Sequence, residues 1–361
     1  MNAKKILSLL LAGTMTLGML TACGSTATAE TKAAQPAATA AKAAETKQYA
    51  DTITLVWYPN ESADDFTESR EEVGRLIEQA TGKKVEQKLT TDYAIAIEAI
   101  SSGTAQIGCV FGAEGYIQAE KTNDAVKPLF VHSGSSGTLN DAVYYAFFGV
   151  KEADAAEYAD GDSFSIDNIA GKKMSFVSNS STSGFKVPTN SIINHFTEEN
   201  LTVDDLMEGG SGAFFSEVLF GGSHQGSLYN LLSGKAEVAA FCDKEVVTYV
   251  DLKSGTDKEV GAVYEIKEGA DAPFDTIAGE SYTVISSTPV MNGPFVYNSD
   301  TLSPEDAAAI QALFTSDEVT NNEIMFYSAD AQTKGLFKKS GDIRFLTVDA
   351  DWYDPIRQMG N

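Results

Sequence analysis

The sequence predicts an α/β protein whose folded part has two lobes, each a mainly parallel sheet flanked by helices. Three observations predict it. Apolar strand patterns alternate with helical ones from residue 51 onward, a helix–turn–strand unit recurs at an offset of 131 residues, and 361 residues suffice for two domains. With 43% hydrophobic and 21% charged residues the composition is globular, so each lobe can bury a core without disulfide staples.

Residues 1–22 read as an export signal and not as part of the fold. Lys4 and Lys5 precede short apolar runs, and the small residues Thr21 and Ala22 stand ahead of Cys23. The apolar stretch is too short, and too interrupted by Gly and Thr, to span a membrane. Leu20-Thr21-Ala22-Cys23 resembles the bacterial lipobox, which implies diacylation of Cys23 and anchorage to a membrane. Residues 23–50 follow as a flexible tether, since Ala, Thr, Ser, Lys and Gln dominate and nothing larger than alanine offers apolar surface before Tyr49. The body then lies outside the cytoplasmic membrane, where Cys109 and Cys242 are the only cysteines left to pair.

The body begins with Ile53 to Tyr58, a buried strand by its β-branched and aromatic content, ended by Pro59-Asn60-Glu61-Ser62. Asp64 to Ala80 has helical periodicity through Phe66, Val73, Leu76 and Ile77, and Thr81-Gly82 closes it before the strand Val85 to Leu89. A second helix runs from Tyr93 to Ser101, and Gln106 to Phe111 is again a strand. Tyr93 to Gly112 aligns without gaps with His224 to Asp243, each a helix, a Ser-Gly stop and a buried strand. Helix starts and strand ends share one edge of a parallel sheet, the edge at which α/β sheets hold ligands. Between the two copies, Lys172 to Val177 is a strand that opens into Ser178-Asn179-Ser180-Ser181-Thr182-Ser183-Gly184, followed by a helical segment from Val187 to Phe196. Hydroxyls and free amides at a helix start suit an anion, although the same residues serve as ordinary caps and turns.

Charge and composition remove several function classes. Lys and Arg number 26 against 51 Asp and Glu, a net charge of −25 that repels nucleic acid. No two of the three histidines and three cysteines stand at a metal-ligand spacing, so neither a metal nor a cofactor is expected. Ser183, His224 and Asp243 supply the residue types of a hydrolase triad, but no G-x-S-x-G elbow accompanies them and an enzyme is not expected. An adhesin or peptide receptor would need a large exposed apolar groove.

Gly171-Lys-Lys-Met-Ser-Phe-Val, then Ser181-Thr182-Ser183-Gly184-Phe185 with Pro188, then Gly222-Ser223-His224-Gln225 and Gly234-Lys-Ala-Glu-Val resemble the periplasmic phosphonate-binding proteins of ABC importers. The resemblance covers about residues 51–300. It implies the type II periplasmic-binding fold, with two hinge crossings and ligand between the lobes. The lobes would be residues 51–135 plus 290–361 and residues 136–289, with hinges near 133–141 and 285–293.

The resemblance implies a small phosphorus oxyanion as ligand, an ABC permease as partner, and an extracytoplasmic monomer held to the cell membrane through Cys23. Its oxyanion donors fall on Tyr58, Tyr93, Ser181, Thr182, Ser183 and His224, with a charge-assisted bond from His224. Asp243 or Glu245 matches the first carboxylate that meets an ammonium group in aminoalkylphosphonate binders. The second matching segment, Ser286 to Pro294, contains no acid, so an amine-bearing ligand is not expected and Asp243 would accept the proton of a monoprotonated oxyanion. A sulfonate or a vitamin-like ligand is the alternative. Cleft donors would face water in an open form, so losing Ser183 or His224 is expected to cost affinity and to leave stability intact.

Overall fold

Ile53, Leu55 and Trp57 point to one face of the first strand, Thr52–Trp57, and Val56 to the other, and all four are buried. That period-2 pattern with both faces covered is what a sheet between two helical layers requires. The computed structural model describes residues 47–60, 66–328 and 335–359. The expected export signal, Cys23 and the tether as far as residue 46 lie outside the described residues.

The first sheet has six strands in the order Phe345–Leu346, Val126–His132, Phe295–Asn298, Ile107–Cys109, Thr52–Trp57 and Lys84–Leu89. Helices Thr67–Thr81 and Pro304–Phe314 cover one face through Val73, Leu76, Ile77, Ile310 and Phe314. Helices Tyr93–Ser101 and Ala113–Thr122 cover the other through Ala96, Ile100, Tyr116 and Ala119. Each large apolar side chain buried in this way contributes about 1.5–3 kcal/mol. The second sheet has seven strands in the order Val250–Ser254, Val263–Ile266, Ser281–Met291, Val143–Lys151, Val238–Cys242, Lys173–Phe176 and Glu217–Phe220. No helix among the described residues is long and apolar enough to cross a membrane.

The α/β class holds, but both sheets are mixed and not mainly parallel. Ile107–Cys109 and Lys84–Leu89 run parallel to Thr52–Trp57, whereas Phe295–Asn298 is antiparallel to both of its neighbours. Val238–Cys242 and Glu217–Phe220 run parallel to Lys173–Phe176, whereas Val143–Lys151 and Ser281–Met291 pair antiparallel. The antiparallel strands Phe295–Asn298, Val143–Lys151 and Ser281–Met291 flank the passages between sheets, where no helical crossover returns the chain in the same sense. In each sheet the strand of the repeated unit, Ile107–Cys109 or Val238–Cys242, sits where the ladder changes sense.

Among the described residues the chain passes from the first sheet to the second between His132 and Val143, and returns between Met291 and Phe295. The return is shorter than expected. Residues 285–291 are strand, paired with Val143–Lys151, because Ser286, Ser287 and Thr288 are extended and do not form a loop. The two passages are tied together, since the Asn292 N–H donates to the Ala142 carbonyl at 2.9 Å and its side-chain amide donates to the His132 carbonyl at 3.0 Å.

Candidate ligand-binding site

The two repeated units place a ring at the first residue of each helix. Asp92 caps the helix Tyr93–Ser101 by accepting the Ala94 N–H, and Ser223 caps His224–Leu232 by accepting the Gly226 N–H. Gly103 and Gly234 stop the two helices with nearly equal φ of 77° and 79°, a left-handed conformation that glycine adopts without a Cβ penalty. The amides of Gly221 and Gly222 donate to the carbonyls of Phe176 and Val177, which carries the start of the second helix to the end of the strand Lys173–Phe176. From that strand end leaves the hydroxyl-rich loop, where the Ser181 hydroxyl accepts the Gly184 N–H at 3.1 Å and begins a wide turn over Thr182–Lys186.

A small buried cavity of about 10 Å³, room for roughly one water-sized group, brings together Tyr58, Ser181, Thr182, Ser183 and His224. Each of these five is at most 4% exposed. Asn60, Tyr144, Lys244 and Glu245 supply the further polar side chains of the lining. Sequence reasoning passed over Asn60, Tyr144 and Lys244. Asn60 follows a strand end and had a readable place in the pattern, but Tyr144 arrives through the antiparallel pairing of Ala146 with Cys242, which no local pattern encodes.

His224 is the best-defined donor. The buried Cys242 N–H donates to its Nδ1 at 3.1 Å, so the neutral ring carries its proton on Nε2. Burial lowers its pKa to about 4, with Glu245 opposing that shift and Lys244 adding to it. The expected charge-assisted bond is therefore replaced by a neutral N–H donor at ordinary pH. The same bond argues against the expectation that losing His224 leaves stability untouched, because it satisfies a buried backbone amide.

The Tyr58 hydroxyl donates to the Ser180 carbonyl at 2.7 Å, so its proton is already engaged. Thr182 Oγ1 accepts the Glu114 N–H at 2.9 Å and keeps its own proton to give. Ser183 and Tyr144 share the cavity lining, and burial pushes the phenols of Tyr58, Tyr93 and Tyr144 up so that they stay protonated. Tyr93 stands behind the cavity, its ring edge on Tyr58 with centroids 4.5 Å apart and its hydroxyl donating to Asn60 Oδ1 at 3.3 Å.

Asp243 is not in the cavity lining. One of its carboxylate oxygens accepts the Tyr145 N–H at 2.8 Å and the other pairs with Lys258 at 3.0 Å, so it extends the sheet ladder. Glu245, two residues on, takes the place at the cavity and lies 3.4 Å from the Lys244 ammonium. Ser183, His224 and Asp243 thus form no triad series, since the His224 nitrogen that would meet Asp243 is held by a backbone amide. Cys109 and Cys242 are free, buried thiols, and burial pushes both pKa values up.

Residues 55–353 match the family described as ABC transporter, phosphonate, periplasmic substrate-binding protein. The phosphate-import protein PhnD of Mycolicibacterium smegmatis is 28% identical over 219 residues, 59% of this chain. The chain spans 63% of that relative's length, less than two thirds. A binding protein component of an ABC phosphonate transporter from Pseudomonas aeruginosa is similar with a TM-score of 0.58 at 18% identity, covering 85% of each chain. PhnD1 from Prochlorococcus marinus, solved in complex with methylphosphonate, also gives 0.58 at 14% identity, covering 86% of this chain and 97% of its own.

Proposed function

The chain belongs to the periplasmic substrate-binding proteins of phosphonate ABC transporters, with their type II periplasmic-binding fold, and on that premise we propose that it captures a small phosphorus oxyanion between its sheets. The observation that carries the reading is the His224 ring, whose Nδ1 is held by the Cys242 amide so that Nε2–H remains as a donor beside the Ser181–Ser183 loop. The hydroxyls of Ser181, Thr182 and Ser183 complete a set of neutral donors. Tyr58 contributes a wall, Tyr93 braces Asn60, and Asp243 braces the strand end that carries Lys244 and Glu245.

The donors of this lining suit phosphate, phosphite and methylphosphonate better than an amine-bearing phosphonate, because Glu245 already faces the Lys244 ammonium, and the cavity has to widen to admit any of them. The protein binds without converting its ligand and delivers it to an ABC permease. Two bodies, residues 51–135 plus 290–361 and residues 136–289, move about the passages between the sheets. The chain works outside the cytoplasmic membrane as a monomer, anchored by lipid on Cys23.

Calorimetry against phosphate, phosphite, methylphosphonate and aminoethylphosphonate tests the ligand class. At least one of the first three is expected to bind more tightly than aminoethylphosphonate, and failure of all four at millimolar concentration rejects the assignment. The anchor is tested by the mass of the N-terminal peptide, and release of a Cys23→Ser variant from the membrane fraction is the expected result.

A further inference from the structure

Three hydrogen bonds beside the cavity join the loops of one sheet to the other. The Tyr58 hydroxyl donates to the Ser180 carbonyl, the Glu114 N–H donates to Thr182 Oγ1, and the Ser180 hydroxyl donates to Gln118 Oε1 at 2.8 Å. Tyr58, Glu114 and Gln118 belong to the part built on the first sheet, and Ser180 and Thr182 to the part built on the second.

The helix Ala113–Thr122 starts at Gly112, which has no side chain to cap the first turn. A helix end leaves such amides without an internal partner, and Thr182 supplies one across the cleft. Glycine is also what permits the approach, since a Cβ on Gly112 would stand 2.8 Å from Thr182 Oγ1 and one on Gly115 would collide with the Tyr58 hydroxyl. One turn further on, the Gln118 amide nitrogen donates to Glu114 Oε1 at 2.9 Å, and this leaves its oxygen for Ser180. Neither Gln118 nor Ser180 lines the cavity.

We infer that the helix Ala113–Thr122 and the segment Ser180–Thr182 form a clasp by which the protein's own groups hold the two sheets together and set how fast a bound anion leaves. The second half rests on the proposed ligand reading; the first does not. Thr182 caps a helix of the opposite part, and Gln118 is a positioning residue that touches no ligand. Each bond exchanges for water when the parts separate, so each is worth only a modest factor and the clasp can open.

The test uses the full chain carrying Gln118→Ala, with Gly112→Ala as a second variant whose backbone, at φ −70° and ψ 155°, alanine adopts without strain. Hydrogen exchange of the amides at the start of the helix Ala113–Thr122 is read without added anion, and phosphate release is read by stopped-flow tryptophan fluorescence. Both variants are expected to exchange faster, and Gln118→Ala to release phosphate roughly 2–10-fold faster, with melting temperature unchanged. Exchange and release both as in the parent chain would overturn the clasp, as would a fall in melting temperature with both rates unchanged. If the parent binds no phosphate while exchange still responds to Gln118→Ala, the clasp stands and the ligand reading fails.

Discussion

Two helix–strand units occupy matching places in the two sheets. In one, the helix Tyr93–Ser101 leads to the strand Ile107–Cys109, and in the other His224–Leu232 leads to Val238–Cys242. Both helices open on a ring behind a polar cap, and both stop on a glycine of nearly the same φ. They differ in how the buried amide near the end of the strand is satisfied. At the matching position in the first unit the Phe111 N–H donates to the Pro294 carbonyl in the passage between sheets, and in the second the Cys242 N–H donates to His224 itself. A phenol has one proton and gives it to Asn60; an imidazole has two nitrogens and can serve the backbone with one while keeping an N–H on the other. One backbone design thus yields a brace in one sheet and the proposed ligand donor in the other.

His224→Ala breaks the comparison most severely. It is expected to weaken anion binding by ~1–3 kcal/mol, roughly 5–150-fold, and to lower stability by ~1–3 kcal/mol because the Cys242 amide is orphaned. Calorimetry and urea unfolding read the two losses separately, and loss of affinity at full stability would show that the amide finds another partner.

Acid should separate the units next. The folded pKa of His224 is lowered by burial to about 4, below the ordinary value near 6.5, so its contribution to stability is complete above pH ~6.5 and is lost as pH falls through about 4. The full loss is on the order of 3 kcal/mol. His132, lowered by burial to about 3, adds a component that extends further into acid. Unfolding free energy measured between pH 7 and pH 4 is expected to fall in the parent chain and to fall less in His224→Ala. Equal slopes would contradict the neutral, buried ring.

Tyr93→Phe sharpens the other side. Its bond to Asn60 is long at 3.3 Å, and the loss is expected to be no more than about 1 kcal/mol in stability and a few-fold in affinity. A larger effect would mean that Tyr93 contacts the anion itself. His195→Ala has the smallest effect and should leave affinity unchanged in the same calorimetry, because that ring is partly exposed, pairs with Asp167 and is not in the cavity lining.

Much of this was legible where chemistry is local. Ser-Gly after an apolar helical run marks the two stops, and Ser181 and Ser223 stand where caps are expected. What stayed hidden depends on pairing between distant strands. Tyr144 reaches the cavity because Val143–Lys151 aligns with Val238–Cys242 in one register, and the same alignment gives the Tyr145 amide to Asp243 and takes that carboxylate out of the site. The Ser286–Thr288 run has turn-like composition, yet a long partner strand draws it into a ladder. A side chain's identity marks its chemistry, but its neighbour across the sheet decides whether that chemistry faces the cavity.

The neutrality of the His224 donor has a kinetic consequence. The ring and the serine and threonine hydroxyls bring no net charge to the cavity, and Lys244 faces Glu245 there, while the chain as a whole carries −25. The proposed oxyanion would therefore approach against a field of its own sign, with capture depending on short-range bonds and not on long-range steering. Added salt shortens the reach of that field to about 8 Å at 0.15 M, so association should quicken as ionic strength rises, the reverse of what a cationic trap would show.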